Sequence, residues 1–222
     1  MRNADRYLVF SPDMLGALKS AGETQSYKKG AFIFRDKYHV PLVFVLLAGK
    51  AAICKNSGTG GQRTIFILDG PTLLNEPGRE GLAPSADCIA FDDCQVLAIE
   101  IETFYSLLAK DFELTKVVID QITHKTRRTY RQLKNTLSTT RAEKRLAAKL
   151  WKLSRDYGTP TCSGTLIDIE LTCTSLADLI GIRRETVSRA LKILQDEGLI
   201  VYKKRKIFVV NPDDLSKYFK SV

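Results

Sequence analysis

The sequence is poor in the residues that most catalytic and metal sites use. Its 222 residues include only two histidines, His39 and His124, and no two cysteines form a CxxC pair. Histidine is the commonest general acid or base, and zinc and iron–sulfur sites usually need clustered cysteines or histidines. GxSxG, HExxH and phosphate-binding glycine motifs do not occur either. The sequence therefore predicts neither an enzyme nor a metal, haem or iron–sulfur site.

The cysteines also lack the arrangement of a disulfide framework. There are five, an odd number, at widely spread positions: Cys54, Cys88, Cys94, Cys162 and Cys173. Reduced and partly buried thiols are the simpler interpretation. A redox-sensing thiol is the alternative that the sequence leaves open.

Long apolar runs are missing as well. No run approaches the ~18 residues that a membrane-spanning helix needs. The first residues show neither the basic segment nor the apolar segment of a signal peptide. The sequence therefore predicts a cytoplasmic protein with no membrane partner.

Acidic residues are fewer than basic ones, and the excess of basic residues is confined to one half of the chain. The net charge is +9 at pH 7. Residues 1–123 carry 13 Lys and Arg against 15 Asp and Glu, whereas residues 124–222 carry 21 against 10. A basic half joined to a nearly neutral half predicts that the carboxyl-terminal part meets a polyanion such as nucleic acid.

The nearly neutral half has the pattern of an all-β domain. Short apolar runs such as Leu42–Leu47, Thr64–Leu68 and Val96–Ile101 alternate with turn residues from Tyr27 onward. Several short strands at this spacing predict a β-roll or barrel.

Helical spacing begins near Thr103. No proline or glycine occurs between Leu114 and Leu137, which permits one helix of roughly 24 residues. Its apolar stripe is incomplete, so the pattern leaves open whether the helix packs on its own domain or against a second copy of the chain.

The basic half continues with a mixed pattern. A helix is predicted over Arg141–Asp156, with Thr139 or Thr140 as its cap and Glu143 in the capping-box position. A short strand is predicted over Leu166–Leu171.

Residues Thr172–Val210 have the pattern of a helix-turn-helix followed by a hairpin. Ala177 falls where two helices would cross closely, and Gly181 suits a turn in which positive φ is needed. Val187 and Leu191 then return to the core from the second helix. This spacing is typical of the DNA-binding helix-turn-helix.

The second helix of this motif has two faces. Residues with inward spacing are Val187, Ala190, Leu191 and Leu194. The opposite face carries Arg184, Glu185, Ser188, Arg189 and Lys192. Arginine pairs with the guanine edge, glutamate accepts from the cytosine amino group, and serine contacts bases or thymine methyls. A merely solvated face with an ion pair between Glu185 and Arg189 is the alternative, but the complete pattern favours DNA recognition.

The hairpin after this helix has a basic tip. We predict that Lys203, Lys204 and Arg205 form a wing that contacts DNA phosphates.

On these motifs, and above all on Glu185–Arg189 (ETVSR), the chain resembles the cyclic-AMP receptor protein/FNR (Crp/Fnr) family of bacterial transcription regulators. Ser188 makes the recognition helix more similar to the FNR branch. The resemblance spans nearly the whole chain and implies an α+β fold. Residues 1–110 would form a β-roll sensor of the cyclic-nucleotide-binding type, 111–138 a dimerisation helix, and 139–222 a winged helix-turn-helix.

The resemblance also implies which residues read DNA. Glu185, Ser188 and Arg189 would read a TTGA-like half-site, with Arg184 close by. Arg183 replaces the usual small capping residue and is expected to grip phosphate instead. The missing cap should cost about 1 kcal/mol of helix stability.

By the same resemblance, the effector pocket would be formed by Glu76, Arg79, Ser85, Tyr130 and Arg131. Pro84 stands where the family has the arginine that pairs with a cyclic phosphate. Without that partner, burial of a phosphate would lose several kcal/mol, so cyclic AMP is not the expected effector. Arg79 is the candidate substitute for the missing arginine.

We therefore expect a homodimeric regulator that binds palindromic DNA under the control of an unidentified effector. Two alternatives stay open: a degenerate sensor that allows DNA binding without effector, and control by cysteine oxidation. The resemblance implies RNA polymerase as a further partner.

Overall fold

The computed structural model describes residues 9–56, 62–78, 82–136 and 141–221, and of residues 131–136 it describes the backbone alone. The chain divides into two compact units. Of the described residues, the first unit takes in 9–56 and 65–136, and the second takes in 62–64 and 141–221. None of the described helices is long and apolar enough to cross a membrane.

The first unit is a β-roll with three helices. Its elements are α1 (Pro12–Ser20), β1 (Glu23–Tyr27), β2 (Phe32–Phe34), β3 (Leu42–Ala48), β4 (Lys50–Asn56), β5 (Gln62–Asp69), β6 (Thr72–Leu73), β7 (Asp87–Ala90), β8 (Cys94–Glu100), α2 (Ile101–Lys110) and α3 (Phe112–Thr136). The strands form two four-stranded sheets, in the orders β1-β8-β3-β6 and β2-β7-β4-β5. The predicted β-roll is confirmed.

Strands β3 and β8 are apolar on both faces because each face meets a different core. Phe44 of β3 and Val96 of β8 belong to the cluster that also takes in residues of β2, β4, β5 and β7. Val43 and Leu97, one position along, belong to a second cluster with residues of the three helices. Alternate residues of a strand point to opposite faces, so a continuous apolar run is what two such cores require.

The long helix is confirmed as one element. It begins at Phe112, two residues before the predicted start, and Leu137 lies outside the described residues. Helix α1 and strands β1 and β6 were not predicted from the sequence. The start of α1 could have been recognised from the sequence, because a serine followed by proline is typical of a helix N-terminus. The Ser11 hydroxyl is indeed the cap, and it accepts from the Met14 N–H at 3.2 Å.

The second unit combines four helices with a four-stranded sheet. Its elements are α4 (Ala142–Tyr157), β9 (Gly158–Thr161), β10 (Gly164–Ile167), α5 (Cys173–Ile180), α6 (Arg184–Asp196), β11 (Ile200–Lys203), β12 (Lys206–Val209) and α7 (Pro212–Lys220). The sheet order is β11-β12-β10-β9. The predicted helix-turn-helix and terminal hairpin are confirmed.

Two local predictions in this unit are wrong. Helix α4 has Arg141 as its N-cap, with no side-chain cap bond, so Glu143 takes the second helical position and not the third that a capping box needs. Thr139 and Thr140 lie outside the described residues. The strand predicted over Leu166–Leu171 ends at Ile167 because it pairs with β9 and β12 only up to that residue.

Candidate nucleic-acid interface and sensor pocket

Helix α5 has well-defined ends. The Thr172 hydroxyl accepts from the Ser175 N–H at 3.0 Å, and the Ser175 hydroxyl in turn accepts from the Thr172 N–H at 2.9 Å. Gly181 closes the helix at φ 67°, where its N–H donates to the Ala177 carbonyl at 2.8 Å. The left-handed conformation is cheap only for glycine, so the chain turns sharply here and α6 begins at Arg184.

Helix α6 is fixed by one apolar face. Val187, Ala190, Leu191 and Leu194 are all buried. Their spacing of i, i+3, i+4 and i+7 is that of a single helical stripe. Because this stripe is held by the core, the rotation of α6 about its axis is set, and so is the face that it presents to solvent.

The outer face of α6 carries the residues that sequence analysis predicted for DNA. The predicted residues that are exposed here are Arg183, Arg184, Glu185, Ser188, Arg189 and Lys192. Arg183 is the N-cap and makes no side-chain cap bond, as its size suggested. Among the ion pairs of the described residues, none joins Glu185 to Arg189. The two side chains are therefore not neutralised by each other.

The wing follows α6 directly. Strands β11 and β12 are joined through Lys204 and Arg205, and Lys203 pairs with Lys206 across the end of the hairpin. Lys206 is 3.5 Å from the Asp168 carboxylate. The side chains of Lys203, Lys204 and Arg205 are exposed. The structure thus brings the three predicted wing cations together at one tip of the second unit.

In the first unit, two of the predicted pocket residues meet. The Ser85 hydroxyl donates to Glu76 Oε1 at 2.7 Å, and the neighbouring Pro84 is buried. Arg79 lies outside the described residues, as does the side chain of Arg131. Tyr130 is 66% exposed on α3.

Three polar residues of α3 face the β-roll and were not predicted from the sequence. Gln121 Oε1 accepts from the Leu73 N–H at 2.8 Å. The Lys125 ammonium donates to the carbonyl oxygens of Leu73 at 2.5 Å and Leu74 at 3.3 Å. The Arg128 guanidinium lies 4.9 Å from the centre of a phenylalanine ring of β5. These residues continue the helix face that begins with the buried Leu114 and Val118. Only their helical spacing from those two residues could have indicated that they face the β-roll.

The ammonium of Lys125 is unusual because it points inward. Lysine normally keeps its charge in water, but here burial lowers the pKa of Lys125 to about 8. The charge of Glu76 raises this pKa and that of Arg128 lowers it. Lys125 therefore links α3 to Leu73 and Leu74, beside the predicted pocket, and its ammonium loses contact with water in doing so.

The opposite face of α3 is apolar and exposed. Exposed fractions are 71% for Phe112, 54% for Ile119 and 37% for Ile122. Phe112 and Ile119 are seven residues apart, as on one stripe of a coiled-coil helix. The side of α3 packed on the β-roll and the exposed stripe are distinct, so packing on its own unit leaves an apolar face of the helix uncovered.

The cysteines of the β-roll are buried. Cys54, Cys88 and Cys94 lie in the core, whereas Cys162 is exposed and Cys173 is half-buried. Burial raises the pKa of the Cys88 and Cys94 thiols, so the reactive thiolate is disfavoured at both. No group of residues suited to hold a metal ion occurs within the described parts of the chain.

Two domain families match this sequence. Residues 24–111 match the cyclic nucleotide-binding domain, and residues 144–218 match the Crp-like helix-turn-helix domain. A protein named global nitrogen regulator from Nostoc sp. is 31% identical, over 95% of this chain and 95% of that protein. Its namesake from Synechococcus elongatus is 28% identical, over 92% and 93% respectively.

Solved structures share the fold. A CooA mutant from Carboxydothermus hydrogenoformans superposes with a TM-score of 0.79 at 20% identity, covering 92% of this chain and 90% of that one. A transcriptional regulator of the CRP/FNR family from Thermus thermophilus gives a TM-score of 0.74 at 23% identity, covering 90% and 99%. At these identities the likeness concerns the fold alone.

Proposed function

Because the chain belongs to the Crp/Fnr family of bacterial transcription regulators, we propose that it acts as a homodimer that reads a palindromic, TTGA-like DNA site. In each protomer Glu185, Ser188 and Arg189 read base edges. Arg183 and the wing cations bind phosphate.

The observation that carries this proposal is the outer face of α6. Its apolar stripe is buried, so the polar face cannot turn inward, and Arg189 and Glu185 are exposed with no ion pair between them. Arginine can pair with guanine through two parallel hydrogen bonds, and glutamate can accept from cytosine. A glutamate on a basic surface weakens contact with phosphate, which makes sense if it reads a base.

The exposed apolar stripe of α3 supports the homodimer. Phe112, Ile119 and Ile122 would be covered by the same stripe of a second copy, which is the geometry of a two-fold interface. A two-fold dimer presents two recognition helices to half-sites about one helical turn of DNA apart. A palindromic site is the matching DNA symmetry.

The effector is not expected to be cyclic AMP. Pro84 replaces the arginine that the family resemblance places before Ser85, and Ser85 bonds to Glu76 instead. The Lys55 ammonium donates to the Ser85 carbonyl at 2.7 Å, but a lysine does not supply the two parallel hydrogen bonds with which an arginine holds a phosphate. Control by a different, unidentified effector is the first candidate.

A second candidate is a sensor that needs no effector. Gln121 and Lys125 already join α3 to Leu73 and Leu74 through direct hydrogen bonds. These contacts hold the helix against the β-roll without any bound effector. Control by oxidation of a β-roll cysteine has less support, because those thiols are buried. RNA polymerase stays an expected partner on the resemblance alone.

Fluorescence anisotropy tests the proposal directly. Purified protein without added ligand is titrated onto a duplex with TTGAT and ATCAA arms and onto a scrambled duplex at the same salt concentration. Tighter binding to the first duplex, with a stoichiometry of two chains per site, is the expected result. Equal binding to both duplexes, over a range of salt and with protein shown to be dimeric, would contradict recognition of a TTGA-like site by the ligand-free protein and would exclude the effector-free account.

A further inference from the structure

The wing turn is strained at the point where its charge is greatest. Lys204 and Arg205 have φ values of 49° and 62°. Two-residue hairpin turns with positive φ at both positions favour Asn-Gly, because a side chain crowds the backbone in this conformation. The chain thus places two long cations where small residues would be more stable, beside a third cation, Lys203.

The strained turn is fastened to the segment that leads into α5. The Leu171 N–H donates to the Arg205 carbonyl at 2.8 Å. The Tyr202 hydroxyl donates to the Leu171 carbonyl at 3.0 Å. Both backbone polar groups of Leu171 are therefore bonded to the wing, and the Leu171 side chain is fully buried. The wing has a rigid anchor on the α5 side.

A second link joins the wing to the recognition helix. The Tyr202 backbone N–H donates to Gln195 Oε1 at 3.0 Å, and Gln195 lies in the last turn of α6. Tyr202 thus binds the α5 side through its hydroxyl and the α6 side through its N–H. Burial, and then the Cys173 thiol, raise the pKa of Tyr202, so the hydroxyl keeps its proton and remains a donor at neutral pH.

We propose that Tyr202, assisted by Gln195, is a positioning residue that holds the cations of the wing tip at a fixed place relative to the base-reading face of α6. The inference rests on the proposed function, since it concerns how the same interface binds phosphate. A tip that is already ordered loses little conformational entropy on contact with DNA. The wing can then contact phosphates at the same time as α6 contacts bases, with no movement of one relative to the other.

Tyr202→Phe tests the inference because it removes one hydroxyl and keeps the ring. The readout is the slope of log affinity against log salt on a scrambled duplex, which reports how many phosphates the protein neutralises. We expect the slope to fall by about 1 and the affinity at low salt to fall roughly threefold to tenfold on any sequence. Tyr218→Phe on α7 is the matched control and should leave the slope unchanged.

A double-mutant cycle separates positioning from stability. In a variant with Lys203, Lys204 and Arg205 all changed to Ala, Tyr202→Phe should have no further effect on the slope. The same loss in both backgrounds, or a lower melting temperature with an unchanged slope, would overturn the inference. Gln195→Leu provides a second variant if Tyr202→Phe does not fold, and it should lower the slope in the same direction.

The outcomes for this inference and for the proposed function are distinct. Binding to a scrambled duplex measures phosphate contact without sequence preference. Absence of sequence preference in the unaltered, ligand-free protein would contradict ligand-free base reading and leave the Tyr202 inference intact. An unchanged slope in Tyr202→Phe, with normal preference for the TTGA-like duplex, would contradict the Tyr202 inference and leave base reading intact.

Discussion

The two units use their polar residues in opposite ways. On α6, Arg189 and Glu185 are exposed and make no ion pair with each other. In the first unit, Glu76 accepts a hydrogen bond from Ser85, and Lys125 donates hydrogen bonds to backbone carbonyls. An exposed side chain meets a ligand at little cost, whereas a bonded one must first give up an internal hydrogen bond. If α6 reads DNA as proposed, the second unit presents its base-reading side chains without internal hydrogen bonds in the described parts of the chain, whereas an effector at Glu76 would compete with a hydrogen bond that the first unit makes by itself.

The largest effect expected concerns the exposed stripe of α3. Ile119→Glu and Ile122→Glu together would place unpaired charges in the dimer interface, at a cost on the order of 3 kcal/mol or more. We expect monomers by sedimentation velocity and at least about a hundredfold weaker binding to the TTGA-like duplex. This would show that the first unit contributes to DNA reading by pairing two recognition helices, whatever its effector.

Asp120→Lys is the control, since it changes the charge of α3 at an exposed position outside the apolar stripe. It should remain dimeric. If the doubly substituted protein also stays dimeric at micromolar concentration, the stripe is not the interface.

A second prediction tests whether the internal bonds of the sensor unit matter. Lys125→Met removes a buried ammonium whose pKa is lowered from 10.5 to about 8. Between these values the unfolded chain binds more protons than the folded one, so Lys125 makes stability rise with pH. We expect the free energy of unfolding of the unaltered protein, minus that of the variant, to increase by about 2 kcal/mol from pH 7.5 to pH 9.5. Urea denaturation at the two pH values measures it.

The same variant separates the two accounts of the sensor. If the bonds from Lys125 hold α3 in the DNA-binding arrangement, Lys125→Met should weaken ligand-free binding to the TTGA-like duplex while the dimer persists. Lys116→Met, at an exposed position of the same helix, is the control. Unchanged DNA binding in a folded, dimeric Lys125→Met protein would exclude the effector-free account.

The smallest effect concerns the wing turn. Lys204→Asn with Arg205→Gly gives the turn its preferred residues, and we expect a gain of about 1 kcal/mol in stability. DNA affinity should fall, because two of the cations that we propose to bind phosphate are lost. The residues of the wing turn would then favour DNA affinity at a cost in the stability of the second unit. Lys203→Asn removes a charge from β11, outside the strained turn, and should weaken binding with no gain in melting temperature; a gain there would contradict the role of strain.

How much could be predicted from sequence differed between the units for a physical reason. The spacing of Val187 and Leu191 after Gly181 is local information, and it was enough to predict both the turn and the solvent-exposed side of α6. The inward course of Lys125 depends on Leu73, 52 residues away in the chain. A lysine among polar neighbours on a helix normally faces solvent, so no local pattern indicates its burial.

The wing shows a similar limit within the well-predicted unit. Its basic tip was evident from the four consecutive cations, but Lys204 and Arg205 are not residues that sequence rules assign to a turn with positive φ. The turn is held through Leu171, which bonds to Arg205 and to Tyr202 from another segment of the chain, and these contacts become visible only in the folded unit.

The central claim, that α6 reads bases, is tested most directly with Arg189→Ala on matched duplexes. Affinities are measured for the TTGA-like site, for the same site with its guanine replaced in both arms, and for a scrambled duplex, with Lys217→Ala on α7 as the charge-matched control. We predict that Arg189→Ala loses on the order of 1–3 kcal/mol on the TTGA-like site and little on the others, so that preference at the guanine disappears. Equal losses on all three duplexes would show that Arg189 contacts only phosphate and would contradict base reading by this helix.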